Sequence, residues 1–222
     1  MLTGFFCEMK IQRIERQKKD KNRYSIFSED GFVAGVSEDT LARFGLRAGD
    51  VIEEERLREL EVYEDFSTAR KDAYAYIAYK PRTRAEVVKK LKAKKHSTPA
   101  IDGAIELLTE QKYLDDKVYA LSYAAEKLRS KPIGKELLRR KLMQKGVVKE
   151  TIDSALSEIF PEEGESELAL NALKKYSAKL REDDKANVRA KCYRHLMSRG
   201  FSSDTAYEVT RRFLEEAEPG QI

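Results

Sequence analysis

The sequence predicts a mainly α-helical protein: three tandem three-helix repeats in an elongated, curved array, with a small β-containing N-terminal extension. Three observations carry this. Lys, Glu, Leu and Ala abound, while the 222 residues hold only five Pro, eleven Gly and no Trp, a composition that favours helix. Apolar–polar alternation is confined to about the first sixty residues, and helical spacing takes over from Glu53. The chain also matches itself when it is slid by 51 and then 54 residues. The expected division is 1–60 for the extension, 61–116 for the first repeat, 117–163 for the second and 164–222 for the third.

In the extension, Met9, Ile11 and Ile14 alternate with polar residues. "KKDKN" is a turn, "RYSIF" and "FVAGV" are strand candidates, and "SEDG" is the tight turn between them. "SEDTLARFGL" reads as a short helix, with Ser37 as N-cap and Gly45 as its C′ residue. "RAGD" turns the chain again. A hairpin or three-stranded sheet with one helix buries little, so it must lean on the helical part. From Glu53, "EEERLRELEVYEDFSTARKDAYAYIAYK" is one long helix or two abutting ones.

The first shift places Pro81 on Pro132, Leu91 on Leu142, Ile101 on Ile152, Asp102 on Asp153 and Ala104 on Ala155 without a gap. The second places Leu142 on Leu196, Met143 on Met197, Gly146 on Gly200 and Thr151 on Thr205. Each copy resolves into three helices. The first ends near the Lys-Pro, where proline stops a helix. The second is basic and ends at Gly146 or Gly200 in the later copies. The third has an apolar stripe: Ile101, Ala104, Ile105 and Leu108, then Ile152, Ala155, Leu156 and Ile159. Thr98-Pro99 is the expected start of the third helix in copy one.

Several chemistries are excluded or disfavoured. Gly134-Lys135 is followed by Glu136 and lacks the second glycine of a phosphate loop. No nucleophile–base or zinc signature occurs, and His96 and His195 stand apart. Acid pairs such as Asp115-Asp116 and Asp183-Asp184 could hold the metal of a nuclease. The first pair reads better as a helix cap. Cys7 and Cys192 are far apart and read as free thiols in a reducing compartment. The start lacks a basic n-region, and no apolar run is long enough to span a bilayer. The expectation is a cytoplasmic protein with no cofactor and no metal.

Net charge is only +4, so distribution matters more than the total. Copy one carries Lys80, Arg82, Arg84, Lys89, Lys90, Lys92, Lys94 and Lys95 against Glu86. Copy two carries Lys127, Arg129, Lys131, Lys135, Arg139, Arg140, Lys141 and Lys145 against Glu136. One such run is usually a solvated face. Recurrence at the same register points to a basic surface instead. Acids cluster elsewhere, at residues 36–65 and 153–167. The basic surface suits DNA or an acidic protein surface alike. Tyr74, Tyr76, Tyr79, Tyr119 and Tyr123 are split between core packing and stacking on bases.

Taken together, "KPRTRAEVVKKLKAK" and "LLTEQKYLDDKVYALSYAAEKLRSKPIGKELLRRKLMQKGV" resemble the RecX family of regulatory proteins. The Asp-Asp-x-x-Tyr-Ala and Gly-x-x-x-Leu-x-x-x-Leu-x-x-Lys-Gly spacings are the specific part. "IQRIERQKKDKNRYSIFSEDGF" and "LARFGLRAGDVI" extend the likeness through the N-terminus. The resemblance implies a non-enzymatic modulator, most often an inhibitor, that lies in the groove of the RecA filament on single-stranded DNA. It implies a role in recombination, DNA repair and the SOS response. It also implies a weak direct contact to DNA, no membrane partner and a monomer. The candidate contact residues are Arg82, Arg84, Lys89, Lys131, Lys135, Arg139 and Arg140. Lys95-His96 stands where the family commonly has Lys-Gly, so a looser or longer helix end is expected there. The third copy is divergent. Two other readings compete. One is a sequence-specific helix-turn-helix regulator of duplex DNA. The other is the metal nuclease.

Overall fold

The computed structural model describes residues 8–160, 164–177 and 185–216. Cys7 and Asp183-Asp184 lie outside the described residues. The chain divides into two compact units, Met1–Lys80 with Val87–Tyr113 and Pro81–Glu86 with Leu114–Ile222. The fold is mainly α-helical, with small N-terminal strands and three helices in each repeat. No helix among the described residues is long and apolar enough to cross a membrane.

The first unit opens with β1 (Glu8–Lys10), β2 (Arg13–Arg16), β3 (Arg23–Ser28), β4 (Gly31–Ser37), α1 (Glu38–Phe44) and β5 (Val51–Glu53). β2, β3 and β4 form an antiparallel meander. The alternation at Met9, Ile11 and Ile14 does not make one strand. It splits at Ile11, and β1 pairs with β5 as a separate ribbon, Met9 opposite Ile52. A three-residue strand is too short to show alternation, which is why β5 is not legible in the sequence. Ser37 caps α1 by accepting from the Thr40 amide, and Gly45 closes it at φ 62°.

α2 is a single helix, Glu54–Tyr79. Its Leu60 completes the apolar cluster of the extension with Ile11, Ile26, Ala34, Val36, Leu46 and Ile52. Its Glu64, 8 % exposed, accepts hydrogen bonds from the Ser37 amide (2.8 Å), the Ser37 hydroxyl (2.9 Å) and the Thr40 hydroxyl (2.6 Å). The Arg23 guanidinium lies 2.9 Å from its other oxygen. So the extension leans on α2, through burial and through one carboxylate.

α3 (Arg84–Ala93) and α4 (Thr98–Glu110) complete the first repeat. α2 and α4 pack together, and Val87, Leu91 and the stripe Ile101, Ala104, Ile105 and Leu108 are buried. The N-cap of α4 is Ser97, one residue before the expected Thr98; its hydroxyl accepts from the Ala100 amide. Pro99 still falls in the first turn.

α3 is neither looser nor longer than its counterpart. Lys95, and not His96 as expected, stands at the glycine position: it adopts the left-handed conformation at φ 68°, as Gly146 and Gly200 do at 78° and 83°. The closing bond is the same in all three repeats: His96 to Leu91 O (3.3 Å), Val147 to Leu142 O (3.1 Å) and Phe201 to Leu196 O (3.2 Å). A lysine there costs roughly 1–2 kcal/mol of backbone strain. His96 takes the place that Val147 fills with hydrocarbon. Its imidazole reaches Asp65 at 2.7 Å and Asp72 at 3.0 Å, and Asp72 also takes the Lys94 ammonium. Polar bonds thus replace apolar burial at that helix end.

This cluster makes the first unit sensitive to pH. Burial works against the His96 imidazolium, but the bonds and charges of Asp65 and Asp72 outweigh it and raise its pKa. Burial works against ionised Asp65 and Asp72 too, yet hydrogen bonds from Ser97 and His96 at the first, and from Lys94 and His96 at the second, lower theirs. The His96 contribution is complete below its unfolded pKa, about 6.5, and is lost as pH rises through the folded value. The aspartate contribution is present above the ordinary carboxylate range and lost as pH falls through the lowered values. The melting temperature should therefore be higher at about pH 5.5 than at about pH 8.5. His96→Gln should flatten that difference; an unchanged pH profile in the variant argues against the assignment.

In the second unit, α5 (Asp116–Ser130), α6 (Lys135–Gln144) and α7 (Lys149–Ile159) form the second repeat. Ala120, Ala124, Leu138, Leu142, Ile152, Ala155 and Leu156 make its core. α8 (Gly164–Ser177), α9 (Lys185–Ser198) and α10 (Ser203–Glu216) form the third, around Leu173, Val188, Cys192, Leu196, Phe201 and Val209. Burial pushes the Cys192 thiol up, away from reactivity.

Candidate functional site

Within the second unit, the residues that open α3, up to Glu86, meet the end of α6 in one joint, and the start of α6 meets the end of α9 in the next. At the start of α3, Thr83 and Glu86 form a capping box: each backbone amide donates to the other side chain, at 3.3 and 3.2 Å. The Thr83 hydroxyl also donates to the Lys145 carbonyl at the end of α6, 2.7 Å away. The Lys145 ammonium is 3.0 Å from Glu86. Burial opposes the Glu86 charge, but that ammonium outweighs it and lowers the carboxyl pKa. Asp116 accepts the Arg84 amide at 2.8 Å.

The next joint uses the corresponding positions with different donors, backbone amides in place of the Thr83 hydroxyl. Gly134 donates its amide to the Arg199 carbonyl and Glu136 to the Gly200 carbonyl, both at 3.0 Å. Glu165, from the first helix of the third repeat, accepts the Lys135 amide at 2.9 Å. In both joints the carbonyl-rich end of one middle helix faces the amide-rich start of another, so opposite helix dipole ends meet. The glycines allow the approach. A Cβ on Gly134 would fall under 3.0 Å from the Gly200 carbonyl, and one on Gly200 under 3.0 Å from Leu137. A Cβ on Gly146 would meet the Ala85 Cβ equally closely. Gly134 has an ordinary φ of −81°, so contact and not conformation demands glycine there.

The joints place the candidate residues. Arg82 is half-buried and Arg84 exposed, flanking Thr83 at the Lys145 end of α6. Lys131 is the C-cap residue of α5, exposed, and half-buried Lys135 opens α6. Arg140 is exposed on α6. Arg139 is committed internally: it pairs with Asp153 of α7 at 2.7 Å and with Glu136. The Asp153 hydrogen bond raises its pKa. Lys89 is exposed on the part of α3 that belongs to the first unit. Among the described residues, Arg84, Lys89, Lys131, Lys135 and Arg140 make no side-chain ion pair.

The acid pair Asp115-Asp116 is engaged by backbone. Asp115 accepts from the Lys117 and Val118 amides at 2.9 and 3.0 Å. Burial, with the nearby Asp115 and Glu86 charges, pushes the Asp116 carboxyl up. The described residues contain no group of three or more His, Cys, Asp or Glu placed to hold a metal. Tyr79 is 85 % exposed, whereas Tyr119 and Tyr123 are half-buried and stack on each other at 6.0 Å. His195 stacks on Tyr176 at 4.0 Å. Sequence reasoning missed Thr83, Glu86, Asp116 and Glu165 as joint residues. The Thr-x-x-Glu spacing at Thr83 was the one local signal.

Four stretches of the chain match profiles of one family: "Regulatory protein RecX N-terminal domain" over residues 9–53, and the RecX first, second and third three-helix domains over 69–108, 115–156 and 163–210. The regulatory protein RecX of Clostridium botulinum (strain Eklund 17B / Type B) is 33% identical over 206 residues, covering 92% of this chain and 96% of that one. That of Staphylococcus aureus (strain JH9) is 30% identical over 200 residues, 90% and 73% of the two chains. A crystal structure of regulatory protein RecX superposes with a TM-score of 0.70 at 29% identity, covering 92% of this chain and 99% of that one. RecX from Lactobacillus salivarius shares the fold at a TM-score of 0.64 and 24% identity, covering 69% of this chain and 99% of that one.

Proposed function

Because the chain belongs to the RecX family of regulatory proteins, we propose that it modulates RecA without being an enzyme, binding the groove of the RecA filament on single-stranded DNA and inhibiting its activities. It acts as a cytoplasmic monomer with no cofactor, and touches DNA weakly on its own. One observation carries this reading. Exposed or half-exposed cations without an internal ion pair recur at the same register of two repeats: Arg84 with Lys135, and Lys89 with Arg140. Several modest contacts repeated along a periodic partner add up through effective concentration. Rim charges of this kind govern on-rate and salt dependence. Arg139 contributes through the shape of its repeat, not through contact.

The test is the ATPase of RecA on single-stranded DNA. The wild-type chain lowers it. Arg84→Glu combined with Arg140→Glu raises the concentration for half-inhibition by roughly tenfold, and the gap narrows in high salt. An ATPase unchanged at stoichiometric wild-type protein, in low and moderate salt, overturns the reading.

A further inference from the structure

In the third repeat, α9 and α10 enclose a cleft of about 310 Å³, lined by Arg189, Ala190 and Tyr193 from α9 and by Tyr207 and Thr210 from α10. No carboxylate is among these lining residues. Thr210 is 1% exposed, and its hydroxyl has no hydrogen-bond partner among the described residues. A buried hydroxyl left unbonded is destabilising, and valine would fill the same space without that cost. The Arg189 guanidinium stands 5.3 Å from the centre of the Tyr207 ring, at the edge of the cleft.

The second repeat shows the same place closed. Tyr193 corresponds to Arg139, Tyr207 to Asp153 and Thr210 to Leu156. There Arg139 and Asp153 bridge the two helices at 2.7 Å, and Leu156 is fully buried. The third repeat has exchanged the bridge for two phenol rings and the core leucine for an unbonded hydroxyl. Neither exchange improves packing. Together they make a slot with aromatic walls, a hydrogen-bonding group and a cation.

We propose that this cleft receives one unpaired nucleobase of a single-stranded nucleic acid. Every base has a π-face, so the tyrosines accept any of them by stacking. The Thr210 hydroxyl, donor and acceptor at once, meets a polar ring edge. Arg189 takes the adjoining phosphate, for which its planar fork is suited. The volume lies at the lower end of small-ligand sites, which fits one ring system with its phosphate outside. The proposal rests on the filament reading only for where the strand comes from.

The experiment compares a labelled twelve-nucleotide thymidine strand with an abasic strand of equal length, by anisotropy, using the full chain without RecA. The thymidine strand should bind about fivefold tighter or more. Tyr207→Leu and Thr210→Val should each remove most of that preference, with abasic binding as in the parent. Tyr207 is more than half exposed and valine is isosteric with threonine, so both variants should fold, as a thermal melt can check. Equal affinity of the wild type for both strands overturns the proposal, as does a preference that survives Thr210→Val. RecA inhibition by the wild type is read alongside. Inhibition without base preference removes the cleft and leaves the filament reading; base preference without inhibition does the reverse.

Discussion

Gly200→Ala should destabilise the second unit by about 3 kcal/mol. Two independent costs add. The residue sits at φ 83°, where a side chain costs roughly 1–2 kcal/mol. Its Cβ would fall under 3.0 Å from the Leu137 backbone and Cβ, and overpacking of this kind costs about 1–3 kcal/mol. The neighbour cannot yield cheaply, because the next residue back, Glu136, donates its amide to the Gly200 carbonyl. Gly45→Ala is the control. Gly45 has φ 62° with nothing within 4 Å of a Cβ, so it should show the backbone cost alone. Urea unfolding of the two variants separates the terms. If Gly200→Ala costs no more than Gly45→Ala, the close approach of the two backbones is wrong.

Glu64→Ala should loosen the whole N-terminal extension, at a cost of about 3 kcal/mol. The carboxylate accepts from three donors on the β4–α1 corner and neutralises Arg23 on β3. Removing it strands the Ser37 amide, leaves the Thr40 hydroxyl only the Ser37 hydroxyl, and leaves the half-buried Arg23 guanidinium only the Gly35 carbonyl. Arg23 keeps some access to solvent, which holds the figure to the lower part of the range for broken buried pairs. Amide hydrogen exchange should report lost protection in β3 and β4 while α6 and α7 are unaffected. A loss confined to α2, or a change below about 1 kcal/mol, would show that apolar packing at Leu60 holds the extension by itself.

The helices, their caps at Ser37 and Asp115, and the repeat itself were legible because their signals are local. Apolar spacing, a capping residue and a C′ glycine each act within a turn or two. What was not legible is what comes from a distant part of the chain. Thr83 meets the carbonyl of Lys145 and Arg84 meets Asp116, and no pattern near either residue announces the partner. Arg139 looked like any other cation of its helix until Asp153 was placed against it. Lys95 misled for a different reason: glycine is preferred at that position, but a good closing bond and two carboxylates on His96 hold a lysine there. Among the described residues Arg84, Lys89, Lys131, Lys135 and Arg140 make no side-chain ion pair, but no local pattern separates them from Arg139, which does.

The joints also bear on the order in which the protein can be completed. The Arg84 amide is satisfied by Asp116, and the Lys135 amide by Glu165 and the Gly134 and Glu136 amides by the Arg199–Gly200 carbonyls. α3 and α6 therefore both begin, in part, on groups contributed by the repeat that follows. During synthesis from the N-terminus, the first repeat leaves the ribosome with the Arg84 amide still open and the second with the Gly134, Lys135 and Glu136 amides open, until the next repeat arrives to close them. A nascent chain stopped after the second repeat should hold α6 frayed at Lys135, ready for a third repeat to finish.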